Sequence, residues 1–172
     1  MRKPVIFITG AGGEIGHGLI TRLAGTGRPI VTLDLAPLDS TLSGLVQREF
    51  LGSILDAGLL ERILSEFEVD LVFHLAALLS TRSEFTPTRA HEVNVEGTLT
   101  LLEFAQKEGE SHGRPVKFLY PSSIAAYGMA VRVSPSPRSA PVVTPCRPSN
   151  NWNAAATRSS ATPVATTAAS VV

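Results

Sequence analysis

Three glycines spaced three residues apart stand at the front of the chain in VIFITGAGGEIGHGL: Gly10, Gly13 and Gly16. They follow a continuous apolar run, Val5 to Thr9, and precede Ile15, Leu19, Ile20 and Leu23, which recur at helical spacing. Where a buried strand turns into a helix on glycines, a phosphate can be held. The first glycine makes the tight turn, the second lets backbone approach a pyrophosphate, and the third lets the helix pack on the strand. The free N–H groups and positive dipole end of that helix, at Glu14 and Ile15, then face the phosphates. Asp34 closes a second apolar run in VTLDL, 24 residues after Gly10. A carboxylate there accepts hydrogen bonds from the 2′ and 3′ hydroxyls of a ribose and repels a 2′-phosphate, and no Arg or Lys follows it in DLAPLDS. The pattern points to NAD rather than NADP. A glycine-rich turn without a ligand is the plainer alternative; the strand before it, the helix after it and the acid beyond argue against that.

A second place for chemistry is the serine pair Ser122-Ser123, which ends an apolar run from Val116 to Tyr120. The two serines could also be no more than turn formers at a strand end. His74 lies inside an apolar strand and reads as a packed core residue. His17, just past the last glycine, reads as a partly exposed spacer, and Arg82 and Glu84 as solvated rather than catalytic.

The elements that must position these residues alternate. Strands are expected at Val5 to Thr9, Ile30 to Leu33, Val46 to Leu51, Leu71 to Leu75 and Val116 to Tyr120. Between them, Ala57 to Phe67 carries Leu59, Leu60, Ile63, Leu64 and Phe67 on one helical face behind Asp56, an N-cap residue. The longest helix is expected from Thr88 to Lys107, with Val93, Leu101, Leu102 and Ala105 inward and Gly97 allowing close packing. Strands alternating with helices over short connections imply a Rossmann-like, doubly wound α/β fold with a parallel sheet of about five strands.

That grammar stops near residue 128. The chain has 172 residues, 44% of them hydrophobic, with no net charge, yet the average joins two unlike parts. Residues 1–128 hold 11 of the 15 basic residues and all 15 acidic ones, whereas residues 129–172 hold four arginines and no acid. The last 44 residues also lack Leu, Ile, Phe, Tyr, Gly and Lys and hold six of the twelve prolines, so they cannot bury enough apolar surface to offset the entropy of ordering them. The expected organisation is therefore a nucleotide-binding domain over 1–128 and a disordered tail over 129–172, whose composition is what out-of-frame reading of GC-rich DNA yields. Trp152 is its one large aromatic. Neither part has the basic density or aromatic interleaving of a nucleic-acid surface. A single cysteine, Cys146, allows no internal disulfide and no cysteine-rich metal site. No apolar run reaches the length of a membrane span or of a signal-peptide core, so a cytoplasmic, membrane-free setting is expected.

The spacing in TGAGGEIG, together with LVFHLAA, NVEGTLTLLEFA and FLYPSSIAAYG in that order, resembles the extended short-chain dehydrogenase/reductases, the NAD-dependent epimerase/dehydratase family. Within it the motifs look most like the short-chain type of L-threonine 3-dehydrogenase and less like the UDP-galactose 4-epimerases. The resemblance implies roles for particular residues. Leu75, Ala76 and Ala77, with Leu78, would lie along the cofactor. Asn94 would hold the helix and the active-site loop by backbone hydrogen bonds. Ser122 would sit by the cofactor, Ser123 would bind the reacting oxygen, and Ser80 would line the pocket of a small-molecule substrate. Ser53 and Ile54 occupy the position of a family motif that carries an acid for the adenine amino group; here Ser53 replaces the acid.

The same resemblance implies hydride transfer between NAD and a secondary alcohol, of a nucleotide sugar or a 3-hydroxy amino acid. A tyrosine acts as the base in this family, its pKa lowered by a lysine four residues later. This chain has Tyr120, inside the fifth strand, and Tyr127, followed four residues on by Val131, and no lysine after Lys117. The catalytic pair therefore maps onto nothing, and a non-catalytic NAD-binding module or an inert chain with an open sheet edge stand as alternatives. Family members also dimerise through the helices after the fourth and fifth strands, of which only the one around Asn94 is present; a homodimer is an open expectation.

Overall fold

The computed structural model describes residues 3–122; the expected boundary at 128/129, Tyr127, Cys146 and Trp152 lie outside them. Five strands form one parallel sheet: β1 (Val5–Thr9), β2 (Ile30–Asp34), β3 (Arg48–Leu51), β4 (Val69–His74) and β5 (Lys117–Leu119), in the order β3-β2-β1-β4-β5. Between them run α1 (Glu14–Ala24), α2 (Ser40–Ser43), α3 (Ala57–Glu66), α4 (Ser80–Phe85), α5 (Pro87–His91), a π-helical turn (Glu92–Glu96) and α6 (Gly97–His112). No helix among the described residues is long and apolar enough to cross a membrane.

β1 is buried at all five positions, as a central strand without a polar residue before Thr9 must be. Its alternate residues feed two cores. Val5 and Phe7 join Val31, Leu33 and Phe50 beneath Leu60 and Ile63 of α3 and Leu101, Phe104 and Ala105 of α6. Ile6 and Ile8 join Ile30 beneath Ile20 of α1 and Leu42 of α2. Helices on both faces of a parallel sheet make the arrangement doubly wound and Rossmann-like. In the β1–β4 ladder Val5 pairs with Val69 and Ile6 with Leu71, so Asp70 is an extra residue. This bulge turns Val69 and Val72 to the same core and leaves Asp70 free to pair with Arg28.

Local chemistry explains most boundaries. Asp56 caps α3 by accepting the Leu59 N–H at 3.0 Å, as its place in the sequence led one to expect. Asp39 does the same for α2 through Thr41 and Leu42, a helix that the periodicity did not announce because four residues carry no period. The third and fifth strands are shorter than their apolar runs, since Val46 and Val116 pack beside the cores without joining a ladder. β4 begins two residues earlier and ends at His74, leaving Leu75 in the loop. The expected single helix over Thr88–Lys107 is broken: it begins at Pro87, passes through the π-turn, where the Gly97 N–H donates to Glu92 O five residues back, and continues to His112. Ile15, read with the apolar stripe of α1, is 54% exposed at the first turn, where no neighbour covers it.

Among the described residues Thr9, Thr32, His74 and Glu108 are the buried polar ones, and two of these, Glu108 and His74, are titratable. Glu108 of α6 accepts the Val69 N–H at 2.6 Å and so fastens α6 to the start of β4. Burial pushes its carboxyl up, against the opposing pull of that amide and of His112. His74 is fully buried, and the loss of water around its ring pushes its pKa down to about 4 from the ordinary 6.5.

Two outcomes follow for stability. A methyl group added at Gly16 would lie 2.3 Å from the Ala11 carbonyl oxygen, so Gly16→Ala should lower the unfolding free energy by roughly 1–3 kcal/mol in urea titrations. His74 is neutral in the folded chain while the unfolded imidazole titrates near 6.5, so its contribution is complete above 6.5 and is lost as pH falls toward about 4. Across that window the chain should lose roughly 3 kcal/mol that His74→Gln does not lose, measured as the pH dependence of the urea midpoint.

Candidate functional site

The sheet reverses its winding between β1 and β4, and the crevice beyond their carboxyl ends is where an open α/β sheet receives a ligand. Its walls are the loop from Gly10 to Gly13 and the loop from Leu75 to Leu79. Gly10 has φ +69, a left-handed backbone, and a Cβ there would stand 2.5 Å from the Ala76 nitrogen, so the two loops meet main chain to main chain. Gly10 N–H donates to Leu33 O at 3.0 Å, tying the turn to β2. Gly13 is the N-cap of α1 and supplies no side chain to its first turn, so the N–H groups of Glu14 and Ile15 point outward uncapped. Around Gly13 a Cβ would meet only Gly10 O, at 3.4 Å, which leaves room for another group to approach the backbone. These features fit a pyrophosphate.

Asp34 ends β2 beside this turn. Its Oδ2 accepts the Gly12 N–H at 2.9 Å and its Oδ1 the Ala36 N–H at 3.2 Å. The carboxylate is half-buried and held at a fixed angle by two amides, while its unused lone pairs remain for ribose hydroxyls. On the far side of Asp34, Gly52 N–H bonds its carbonyl at 2.9 Å and brings the Ser53–Ile54 turn to the same end of the sheet. Ser53 Oγ accepts the Leu55 N–H at 3.1 Å, and Ile54 is buried against Gly97, so its side chain belongs to the core.

The opposite wall is fixed just as closely. Leu75 N–H donates to Thr9 O at 3.0 Å and Ala76 N–H to Thr9 Oγ1 at 3.5 Å. Ala77 is exposed. Asn94, in the π-turn, accepts the Leu78 N–H at 2.7 Å and donates to Leu78 O at 3.0 Å, so one side-chain amide replaces a strand neighbour. Ser80 is the first residue of α4, where this loop ends. Ser122 closes the described residues and Ser123 lies outside them.

Two hydroxyls escaped the sequence reading. Thr9 Oγ1 lies 2.8 Å from His74 Nδ1, and Thr98 Oγ1 lies 3.0 Å from His74 Nε2 and donates to Asn94 O at 2.8 Å. His74 is thus a core residue, as its apolar context implied, but one with both ring nitrogens engaged. The available signal was positional: Thr9 and His74 are ladder partners at the ends of adjacent parallel strands.

Comparison with known proteins agrees with this geometry. The NAD dependent epimerase/dehydratase family matches residues 6–162. A UDP-glucose 4-epimerase of Haemophilus influenzae is 32% identical over 132 residues, which are 72% of this chain and 38% of that protein. Among solved structures, the UDP-glucose 4-epimerase of Thermotoga maritima with UDP-glucose is 33% identical at a TM-score of 0.64, covering 76% of this chain and 42% of that one. A holo L-threonine dehydrogenase of Cupriavidus necator is 30% identical at a TM-score of 0.61, covering 72% and 38%. These identities do not separate the two activities, and the chain spans about two fifths of the length of the relatives it matches. With the family match running from residue 6 to residue 162, the chain belongs to the NAD dependent epimerase/dehydratase family.

Proposed function

We propose that this chain is the dinucleotide-binding part, residues 1–128, of an oxidoreductase or epimerase that moves hydride between NAD and a secondary alcohol. One observation carries the reading: the uncapped helix start at Gly13 and the Asp34 carboxylate are locked together through the Gly12 amide at the switch point of the sheet. When bound, NAD supplies the hydride acceptor. The chain's own residues bind and orient. Backbone N–H groups at Gly13, Glu14 and Ile15 hold pyrophosphate; Asp34 takes the ribose diol; Ser53, with the backbone of Ile54, meets the adenine; Leu75, Ala76 and Ala77 form the floor on the nicotinamide side. Asn94 keeps that floor in place through Leu78, Ser122 sits by the cofactor, Ser123 holds the reacting oxygen, and Ser80 borders the substrate. The relatives' names support a nucleotide sugar or a 3-hydroxy amino acid as substrate. A homodimer and a cytoplasmic setting accompany this reading.

The absence of a Tyr-x-x-x-Lys sequence from all 172 residues favours a second reading, a module that binds NAD without turnover. A tyrosine without that lysine stays protonated at neutral pH and cannot take the alcohol proton.

Calorimetry separates these readings from failure of both. The chain should bind NAD in preference to NADP, and NAD at a hundredfold excess over its dissociation constant should raise stability by about 2.7 kcal/mol. Asp34→Asn should weaken NAD roughly 10- to 100-fold and narrow the gap to NADP, because the charged acceptor and its repulsion of a 2′-phosphate are both lost. Equal affinity for the two nucleotides in both proteins would sink the assignment of Asp34. Turnover of a secondary alcohol by the 172-residue chain would exclude the module reading.

A further inference from the structure

The two walls of the crevice are joined by a hydrogen-bond chain whose direction can be read atom by atom. Thr98 Oγ1 spends its hydrogen on Asn94 O, so it can only accept from His74, and His74 Nε2 therefore carries the ring hydrogen. Nδ1 is then bare and accepts from the Thr9 hydroxyl, whose oxygen faces the Ala76 N–H. The sequence runs from Ala76 N–H to Thr9, His74, Thr98 and Asn94 O, and the Asn94 side chain returns to both backbone groups of Leu78. His74 thus reaches the Ala76–Leu78 floor from both ends, once through Thr9 and once through Thr98 and Asn94. The ring is wedged against Phe118, with centroids 6.0 Å apart, and stacked on Tyr120 at 5.3 Å. Among the described residues that face it, Thr9 from β1, Thr98 from α6, and Phe118 and Tyr120 from β5 and just beyond, only Tyr120 carries a titratable group.

We propose that His74, as the neutral Nε2–H tautomer, is a positioning residue for the dinucleotide: it fixes the backbone of Ala76–Leu78 in the one arrangement that the cofactor meets. This rests on the reading that NAD lies over that floor. An imidazolium would put a hydrogen on Nδ1, where the Thr9 hydroxyl now donates, and so leave that hydroxyl without its acceptor, so the relay in this direction exists in the neutral state only. The burial that holds the ring neutral agrees with this. A core histidine of purely structural use would lower stability when altered and leave the affinity of the folded chain unchanged.

The test uses the 172-residue chain, Thr98→Val, which keeps the shape of the side chain and deletes the acceptor, and Thr98→Ser, which restores it. NAD dissociation constants at neutral pH and nitrogen-15 shifts of the His74 ring are measured on each, together with amide exchange at Ala76 and Leu78. Thr98→Val should bind NAD about tenfold more weakly, the equivalent of one hydrogen bond, and exchange faster at Leu78, and Thr98→Ser should recover both. His74 should show the Nε2–H tautomer in the unsubstituted chain. If that chain binds no NAD, the reading of the site falls and this inference with it. If it binds NAD and Thr98→Val binds equally well, the positioning role alone is overturned. An Nδ1–H or charged His74 at neutral pH overturns it without reference to any variant.

Discussion

The site depends on a distance too short for a methyl group. At the end of β1 the chain turns through Gly10 with a left-handed backbone, and any Cβ placed there would sit 2.5 Å from the nitrogen of Ala76 and 2.7 Å from its Cα. Contact of main chain with main chain brings the glycine turn and the loop after β4 to one crevice, and it allows Thr9 to serve both. Thr9 gives its carbonyl to Leu75 and its hydroxyl to Ala76 and His74, so the last residue of the first strand organises the loop after the fourth. Gly16 repeats the constraint six residues later, against Ala11 O, and sets how closely the start of α1 lies on the glycine turn.

The two ends of the sheet are built from different chemistry. At the amino ends of the strands charges are paired: Arg28 with Asp70, Arg114 with Glu68, and Glu108 with the Val69 amide and His112. Pairs as exposed as the Arg28–Asp70 bridge contribute little stability singly. The enclosed Glu108 differs, because removing it would leave the Val69 amide without a partner in a dry place. At the carboxyl ends the crevice walls hold neutral groups, glycines, alanines, threonine hydroxyls and an amide, with Asp34 as the carboxylate held at the glycine turn.

Much of this was legible in the sequence. The continuous apolar run of β1, the glycine triplet and Asp34 each report a local demand, for burial on two faces, for backbone without side chains, and for a carboxylate at a strand end, and residue type alone meets such demands. Asp56 was readable as a cap for the same reason. What escaped depends on neighbours that are distant along the chain. Thr9, His74 and Thr98 become a relay only when β1, β4 and α6 are side by side, and no periodicity marks a threonine for that use. The π-turn was hidden because the apolar spacing of Val93, Leu101 and Ala105 tolerates one extra residue. Ile15 misled in the opposite direction, since it has the spacing of a core residue but sits at the uncovered start of α1.

That extra residue has its own meaning. A π-turn within a helix is less favourable than the α-helix that a one-residue shortening would restore, so between Glu92 and Glu96 the chain keeps a locally poorer backbone. In exchange, Asn94 can address the Leu78 backbone from the same short stretch whose carbonyl receives Thr98. Among related chains a gap aligned to this stretch would then signify more than a loop of different length. Such a chain would have a straighter helix, an asparagine rotated off the crevice by about 100°, and a loop after its fourth strand held by other means.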